Sequence, residues 1–328
     1  MKAIISTGWG PRSRLALADV PEPGEPGPDD VLVKVHAASV NPKDWKINRR
    51  IAMTAPPGVV KRLPPLLGDD LAGTVLAVGR NVTDFAIGDD VYGMDMRLRT
   101  ASLAEKTRIN QKRIARKPSS LSYLEAASMP LTAQTALRGL RKGGARAGAR
   151  VLVIGASGGV GTFAVQIAKA MGCHVTAVCS GRNTGFVSEL GADETIDYTK
   201  GDDRSGAGPF DLVFDVVSRE SPRTCAKMIA EKGWFISTGG NARAMLGTPL
   251  YRVLGKNAAS VVVESRRQDL EVLTEMVEKG ELTPVIDSEF ELADADDVPP
   301  ESWREVPGEG GDSSTVSHTT GDRAMRVP

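Results

Sequence analysis

Hydrophobic and polar positions change their rhythm twice along the chain. Through residue 120 the period is two. "VLVKVHA" (31–37) alternates, "LAGTVLAVG" (71–79) is apolar and stops at a glycine, and "DDVYGM" (89–94) follows another turn. Proline-rich stretches at 21–28 and 56–65 read as loops, so this region predicts a compact, barrel-like β domain. From Tyr123, "YLEAASMPLTAQTALRGL" takes helical spacing, interrupted at Pro130. From residue 150, continuous apolar runs alternate with helical ones. "VLVIG" is followed by a helix that closes at Gly172, and "HVTAVC" by a helix that ends at Gly191. "TIDY", "FDLVFDVV", "GWFISTGG" and "SVVVE" then supply four more strands. Uninterrupted apolar strands between helices imply a parallel sheet covered on both faces. "RQDLEVLTEMVEKGEL" and "TPVIDSEFEL" read as a helix and a strand that return to the first domain. After residue 297 the rhythm disappears. The stretch from Val298 to Pro328 is rich in Pro, Gly, Ser and charge and is expected to be poorly ordered.

The expected organisation is therefore an α/β protein with one domain over 1–122 continued by 265–297, a second over 123–264, and a divergent tail over 298–328. With 328 residues there is enough chain for two ordinary domains. A formal net charge of zero gives no global attraction to nucleic acid or anionic lipid. The basic run at 97–117 contains no aromatic residue to stack on bases, and so reads as a solvated surface. Cys173, Cys179 and Cys225 match no structural zinc spacing and read as reduced, buried thiols of a cytoplasmic protein. "MKAIISTGWG" is too short an apolar run for a signal peptide, and no window reaches the roughly 18 apolar residues of a membrane span.

The chemistry lies in "VLVIGASGGVGTFAVQIAKAMG". Gly155, Gly158 and Gly161 follow an apolar strand and open a helix, with Gly159 added. In a repeated strand–helix context this spacing indicates dinucleotide binding. Small residues let the backbone approach a pyrophosphate, and the helix N-terminus offers unpaired N–H groups. The turn Ala156, Ser157, Gly158, Gly159, Val160 and Gly161 is the expected phosphate cradle. The next strand runs into Ser180, Gly181, Arg182 and Asn183, where an NAD site usually carries an acid for the ribose hydroxyls. With no acid there, Ser180 can donate to a 2′-phosphate and Arg182 can neutralise it, which favours NADP(H). Tyr198, at the end of "TIDY", is a weaker candidate for the same phosphate, since a strand-end tyrosine is often only packing.

These residues resemble the medium-chain dehydrogenase/reductase family, in particular its zinc-free quinone oxidoreductase branch (zeta-crystallin-like). The marks are "SVNPKDWKI", "LLGDDLAGTVLAVGRNVTDFAIGDDVYG", "LSYLEAASMPLTAQTAL", "LGADETIDY" and the glycine-rich turn. Within the branch, "VNPKDWKI" is most similar to reductases of α,β-unsaturated carbonyls. The resemblance implies a GroES-like β-barrel substrate domain with an inserted Rossmann domain, and a cleft between them. In the zinc alcohol dehydrogenases of the family, a Cys-x-x-Asp motif, a Gly-His-Glu motif and a further Cys supply the metal ligands. The corresponding positions here are Asn41, Asp69 and Leu131, so no metal site is expected. His36, His174 and His318 form no ligand spacing.

The activity implied is hydride transfer from NADPH to a quinone or to the C=C of an α,β-unsaturated carbonyl, substrates that accept hydride without a Lewis acid. By resemblance Asn41 faces the nicotinamide, and its amide holds the ring or the substrate carbonyl. Lys43 is a candidate to stabilise an enolate, against the plainer reading of a solvent-facing lysine. Asp44 reads as a structural hydrogen-bonding residue more than as a base. Thr135 resembles the threonine that meets the nicotinamide at the domain junction. Val216, Gly239 and Gly240, at the ends of later sheet strands, complete the expected cofactor contacts, with Asn241 beside them. The family's closing Gly-Lys-Val-Val segment is absent, which is expected to remove an edge strand from the first domain. The "SVVVE" strand is expected to pair across a two-fold axis in a homodimer. A non-catalytic NADPH-binding redox sensor or partner-binding protein is the competing reading.

Overall fold

The computed structural model describes residues 1–6, 15–41, 67–96, 101–201, 206–238, 257–297 and 322–326. Its strands in chain order are β1 (Lys2–Ser6), β2 (Leu15–Asp19), β3 (Asp30–Val40), β4 (Asp70–Val78), β5 (Asp90–Met94), β6 (Lys106–Asn110), β7 (Ile114–Arg116), β8 (Arg150–Ile154), β9 (His174–Cys179), β10 (Glu194–Asp197), β11 (Phe210–Asp215), β12 (Ile229–Ser237), β13 (Asn257–Ser260), β14 (Ile286–Glu291) and β15 (Asp322–Arg326). The α-helices are α1 (Tyr123–Ser128), α2 (Pro130–Lys142), α3 (Gly159–Ala170), α4 (Thr184–Glu189) and α5 (Arg267–Glu278). The chain divides into two units. One holds Met1–Leu131, Glu264–Glu278 and Ile286–Pro328; the other holds Thr132–Val263 and Lys279–Val285.

In the first unit β1 and β2 form an antiparallel pair, while the larger sheet runs β14-β15-β3-β4-β5-β7, with β6 also on β3. β3 shows how the sequence sets this up. Its early residues alternate, with Val31, Val33 and Val35 buried and Lys34 exposed. A register shift between Val35 and Ala37 then breaks the alternation. Such a bulge re-aims side chains, and Ala37, Ala38 and Ser39 are all buried in succession. Val31, Val33, Val35, Leu71, Val75 and Ile109 belong to the core of this unit.

Helix α1 belongs to this first unit, so the structure divides the chain after Leu131, where a break before Tyr123 was expected. The reason is local. Ser122 caps α1 reciprocally with Glu125, and the Tyr123 hydroxyl donates to Asp90 Oδ1 at 2.7 Å. That fastens the helix to β5.

The tail also departs from expectation. Asp322–Arg326 forms a strand between β14, to which it is parallel, and β3, to which it is antiparallel. A sheet edge recruits a strand through backbone N–H and C=O groups, which every composition except proline supplies. Low apolar content was therefore no bar to pairing.

The second unit is a parallel sheet in the order β10-β9-β8-β11-β12-β13. Its strands are sealed by side chains with no exposure, including Val151, Val153, Val175, Phe210, Phe214 and Phe235. The direction of winding reverses between β8 and β11, and in open α/β sheets ligands bind beyond the carboxyl ends of the strands at that point. The last strand is shifted from the expected "SVVVE". Only Ser260 of that run lies in β13, where it pairs with Ser237. Val261 still donates its N–H to Ser237 O at 2.8 Å, but among the described residues no strand pairing carries β13 on through Val262. Among the described residues, no helix is long and apolar enough to cross a membrane.

Candidate functional site

In the parallel-sheet unit, the chain leaves β8 through Gly155 at φ +87, a left-handed conformation that glycine adopts without a steric penalty. A Cβ at Gly161 would lie 2.2 Å from Gly155 O and 2.7 Å from the Ala156 carbonyl carbon. Only glycine lets α3 seat this tightly on the turn. Gly158 differs. It is the N-cap of α3 and has no side-chain cap, and a Cβ there would meet only Gly155 O, at 3.6 Å. The first turn of a helix leaves N–H groups without intrahelical partners. The open space over Gly158 thus fits a phosphate, and Gly159, Val160 and Gly161 are the residues that present those N–H groups.

The end of β9 lies beside this turn. Asn183 is buried and donates Nδ2 to Ser157 Oγ at 3.0 Å, tying the two strand ends together. Ser180 is 7% exposed, yet its Oγ has no hydrogen-bond partner among the described residues. A buried hydroxyl without a partner is costly, and a ligand oxygen there would satisfy it. Arg182 is exposed. Tyr198 lies within electrostatic reach of Arg182 and of Arg219: burial raises its phenol pKa, and the two guanidinium charges oppose that rise. Arg219 was absent from the sequence reading because it comes from the loop after β11, far along the chain.

One expectation about this corner is corrected. An acid does stand near the end of β9, supplied by the adjacent strand. Asp197 pairs in register with Cys179, and a Cβ at Gly181 would lie 2.3 Å from Asp197 Oδ2. Its carboxyl is held below the usual range, first by the Thr199 hydroxyl and then by the Thr199 N–H, with the Gly181 N–H adding to them. Those donors engage it on the protein side.

The loop after β11 is organised around Asp215, which is wholly buried. Its carboxyl accepts the N–H groups of Val217 at 3.1 Å, Ser218 at 3.0 Å and Glu220 at 2.7 Å. Burial nevertheless pushes its pKa upward. Ser218 takes φ +58 in this wrap, and its hydroxyl lies 2.9 Å from Thr238 Oγ1, which donates to Val216 O at 3.0 Å. Val216 is thereby fixed beside the glycine turn, its N–H donating to Ile154 O at 3.1 Å. Thr135 is buried within α2. Gly239, Gly240 and Asn241 lie outside the described residues.

In the antiparallel unit, the expected metal-position residues are brought together around Asp70. Asn41 donates Nδ2 to Asp70 Oδ2 at 2.7 Å and to Ser39 Oγ at 3.2 Å. Ser39 Oγ donates to the same Asp70 oxygen at 2.6 Å, and the Leu131 N–H donates to Asp70 Oδ1 at 3.0 Å. Ser39, Asn41, Asp69 and Asp70 are all buried. Leu131 contributes its backbone here, not a ligand side chain. Among the described residues no cluster of three or more His, Cys, Asp or Glu side chains is positioned to hold a metal ion. Asp70 was not singled out from the sequence. Its partners lie at residues 39, 41 and 131, a spacing with no local signature. Lys43 and Asp44 lie outside the described residues.

Known proteins match both units. Residues 27–121 match the alcohol dehydrogenase GroES-like domain, and residues 190–298 match the zinc-binding dehydrogenase domain. A chloroplast envelope quinone oxidoreductase homolog from Arabidopsis thaliana is 32% identical over 306 residues, covering 88% of this chain and 90% of its own. A 2-methylene-furan-3-one reductase from Solanum lycopersicum is 34% identical over 303 residues, covering 88% of this chain and 71% of its own. The structure of the quinone oxidoreductase from Coxiella burnetii superposes with a TM-score of 0.85 at 28% identity, covering 100% of this chain and 99% of its own. With its GroES-like unit, its dinucleotide-binding parallel sheet and relatives that match along most of their length, the chain belongs to the medium-chain dehydrogenase/reductase family of oxidoreductases.

Proposed function

We propose that this chain is a zinc-independent, NADPH-dependent reductase that delivers hydride to a quinone or to the C=C of an α,β-unsaturated carbonyl. The observation that carries the reading is the Asp70 cluster. Where a zinc dehydrogenase of the family places metal ligands, Asn41 and the Leu131 N–H are both hydrogen-bonded to one buried carboxyl group. Three-ligand zinc chemistry has no donor set there, which favours substrates that are electrophilic without a Lewis acid. The names of the Arabidopsis and tomato relatives support that substrate class.

The preference for NADPH rests on the unpartnered Ser180 hydroxyl, with Arg182, Arg219 and Tyr198 supplying charge and a phenol at the same strand ends. Gly158, Gly159, Val160 and Gly161 cradle the pyrophosphate by their backbone, while Ala156, Ser157 and Asn183 hold the turn in shape. Val216 and Thr135, together with Gly239 and Gly240, are assigned to the nicotinamide end. Asn41, Lys43 and Asp44 are assigned to the reaction centre. When bound, the nicotinamide supplies the hydride. A cytoplasmic homodimer is part of the proposal. It is supported by the buried thiols of Cys173, Cys179 and Cys225, by β13 at the edge of the sheet, and by Val262, which is 80% exposed just beyond it.

NADPH consumption against a panel of enones and quinones tests the activity. Turnover is expected with at least one class; tight NADPH binding with no turnover on any would sink the enzyme reading. Arg182→Ala tests the phosphate site, with an expected loss of about tenfold in NADPH affinity and little change for NADH. An unchanged preference would remove Arg182 from the assignment. Elemental analysis is expected to find no stoichiometric zinc.

A further inference from the structure

We infer that Asp215 is a positioning residue for cofactor discrimination: its buried carboxylate wraps the loop after β11 and holds Arg219 toward the Ser180 corner, so that Asp215 sets the preference for NADPH over NADH without touching the cofactor. The inference rests on the NADPH reading above. Asp215 ends β11 and is 0% exposed. One carboxyl oxygen accepts the N–H groups of Val217 at 3.1 Å and Ser218 at 3.0 Å, and the other accepts the Glu220 N–H at 2.7 Å. Arg219 stands between Ser218 and Glu220, so its backbone is bracketed by two of these bonds. Ser218 takes φ +58, a left-handed conformation that is costly for a residue other than glycine. Two bonds offset that cost. One is the N–H bond to Asp215. The other comes from the hydroxyl: Thr238 Oγ1 gives its single proton to Val216 O at 3.0 Å, so at the 2.9 Å contact Ser218 Oγ is the donor.

The wrapped loop lies against the glycine turn. A Cβ at Gly155 would meet Val217 Cγ2 at 2.2 Å. The N–H groups of Gly155 and Ala156 both donate at 3.0 Å to the carbonyl oxygen of Val178, just ahead of Ser180. Loop, turn and the end of β9 therefore form one corner of the sheet. Arg219 is exposed there, its guanidinium has no hydrogen bond or ion pair among the described residues, and its charge reaches Tyr198. The buried Ser180 hydroxyl has no hydrogen-bond partner among the described residues either. A guanidinium and a buried hydroxyl at one corner, both without partners, suit the oxygens of a 2′-phosphate. The sign of the expected effect is informative. Removing a negative charge near a phosphate favours the phosphate by Coulomb's law alone. A purely structural carboxylate, once removed, weakens both cofactors alike. Loss of a positioning residue weakens NADPH selectively.

A double-mutant cycle tests it. NADPH and NADH affinities are measured by nucleotide fluorescence on the wild type, D215N, R219A and D215N/R219A, with melting temperature alongside. In D215N the amide has one acceptor oxygen where the carboxylate had two. At least one N–H of the wrap, on one side of Arg219 or the other, then meets an N–H instead of an oxygen. D215N and R219A are each expected to lose about tenfold in NADPH affinity and less than about threefold in NADH affinity. The double variant is expected to match R219A in its NADPH/NADH ratio to within about twofold, because Asp215 acts through Arg219. Four results overturn the inference: equal losses for the two cofactors in D215N, an unchanged or raised NADPH preference in D215N, an unchanged preference in R219A, or a further fall in the ratio from R219A to the double variant. A wild type with no preference for NADPH removes the NADPH reading and this inference together. A wild type that prefers NADPH, with R219A unchanged, removes the inference alone. Should D215N fail to fold, Thr238→Val removes the hydroxyl that links Ser218 to Val216 and leaves the carboxylate in place. It is expected to lower the NADPH/NADH ratio about two- to threefold, and to have no such effect in the R219A background; an unchanged ratio, or the same fall in both backgrounds, overturns the inference.

Discussion

In the parallel-sheet unit, the features that fit a ligand are made of backbone and of missing side chains. Gly158 leaves room, Gly155 and Gly161 let the turn and α3 pack closely, and the first turn of α3 presents N–H groups. In the antiparallel unit the corresponding feature is made of side chains holding one another, with Asp70 accepting hydrogen bonds from Asn41, Ser39 and Leu131. The first arrangement leaves donors open, including the buried Ser180 hydroxyl, which has no hydrogen-bond partner among the described residues. The second is internally satisfied and built to hold one orientation. Within one chain, then, the shape of the glycine turn depends on side chains the sequence omits, and the Asp70 cluster on side chains it pairs.

The difference can be broken most severely at Gly161. Any Cβ there strikes backbone at 2.2 Å and 2.7 Å, not a flexible side chain. Gly161→Val is expected to weaken nucleotide binding by about 100-fold or more, roughly 2.7 kcal/mol, measured by fluorescence titration. Asp70→Ala probes the paired locus. It strands the Asn41 amide, the Ser39 hydroxyl and the Leu131 N–H in the interior, and should cost about 3 kcal/mol in urea unfolding with the nucleotide turn unaffected. Ser180→Ala separates the two kinds of site most cleanly. Removing a hydroxyl with no partner among the described residues should leave stability within about 0.5 kcal/mol, yet reduce NADPH affinity severalfold while NADH is unaffected. A loss of stability equal to that of Asp70→Ala would mean that Ser180 has a structural role.

The smallest effect concerns His36, which is 3.1 Å from Thr74 Oγ1 and packed against Tyr123 with ring centroids 4.4 Å apart. Burial, then the nearby Lys34 charge, holds its pKa below the ordinary 6.5, partly offset by Asp90. Between the folded value and 6.5 the unfolded chain binds more protons. The His36 contribution is therefore complete above that pH and lost as pH falls through the folded value. His36→Gln should flatten this limb of the stability profile by less than about 1 kcal/mol.

How much could be read in advance follows the same division. The glycine turn was legible because its constraint is local: a strand, three glycines and a helix within a short stretch of chain. The succession of strands and the helix closures at Gly172 and Gly191 were legible for the same reason, and both glycines take positive φ. The Asp70 cluster was not. It assembles residues from β3, the position just past β3, the start of β4 and the first turn of α2, segments that no local spacing links. Asp197 was missed because its relevance depends on β10 lying beside β9, a fact of register and not of local sequence. "SVVVE" misled because apolar residues were read as sheet, whereas a strand is set by its pairing, which here falls on Asn257–Ser260 against Trp234–Ser237.

The place of β15 sets an order of events. β3 emerges early in synthesis, but on one flank β6 covers only Asp30–Lys34, and Ala37–Val40 pair with residues 323–326, which in turn hold β14. The parallel-sheet unit, whose strands all lie before residue 261 and whose last segment is Lys279–Val285, is complete while the ribosome is still at work on the rest. The antiparallel sheet is not. Until translation has passed Arg326, the Ala37–Val40 half of that flank is a bare backbone edge, and a nascent chain stalled before that codon would expose it to chaperones or to other chains.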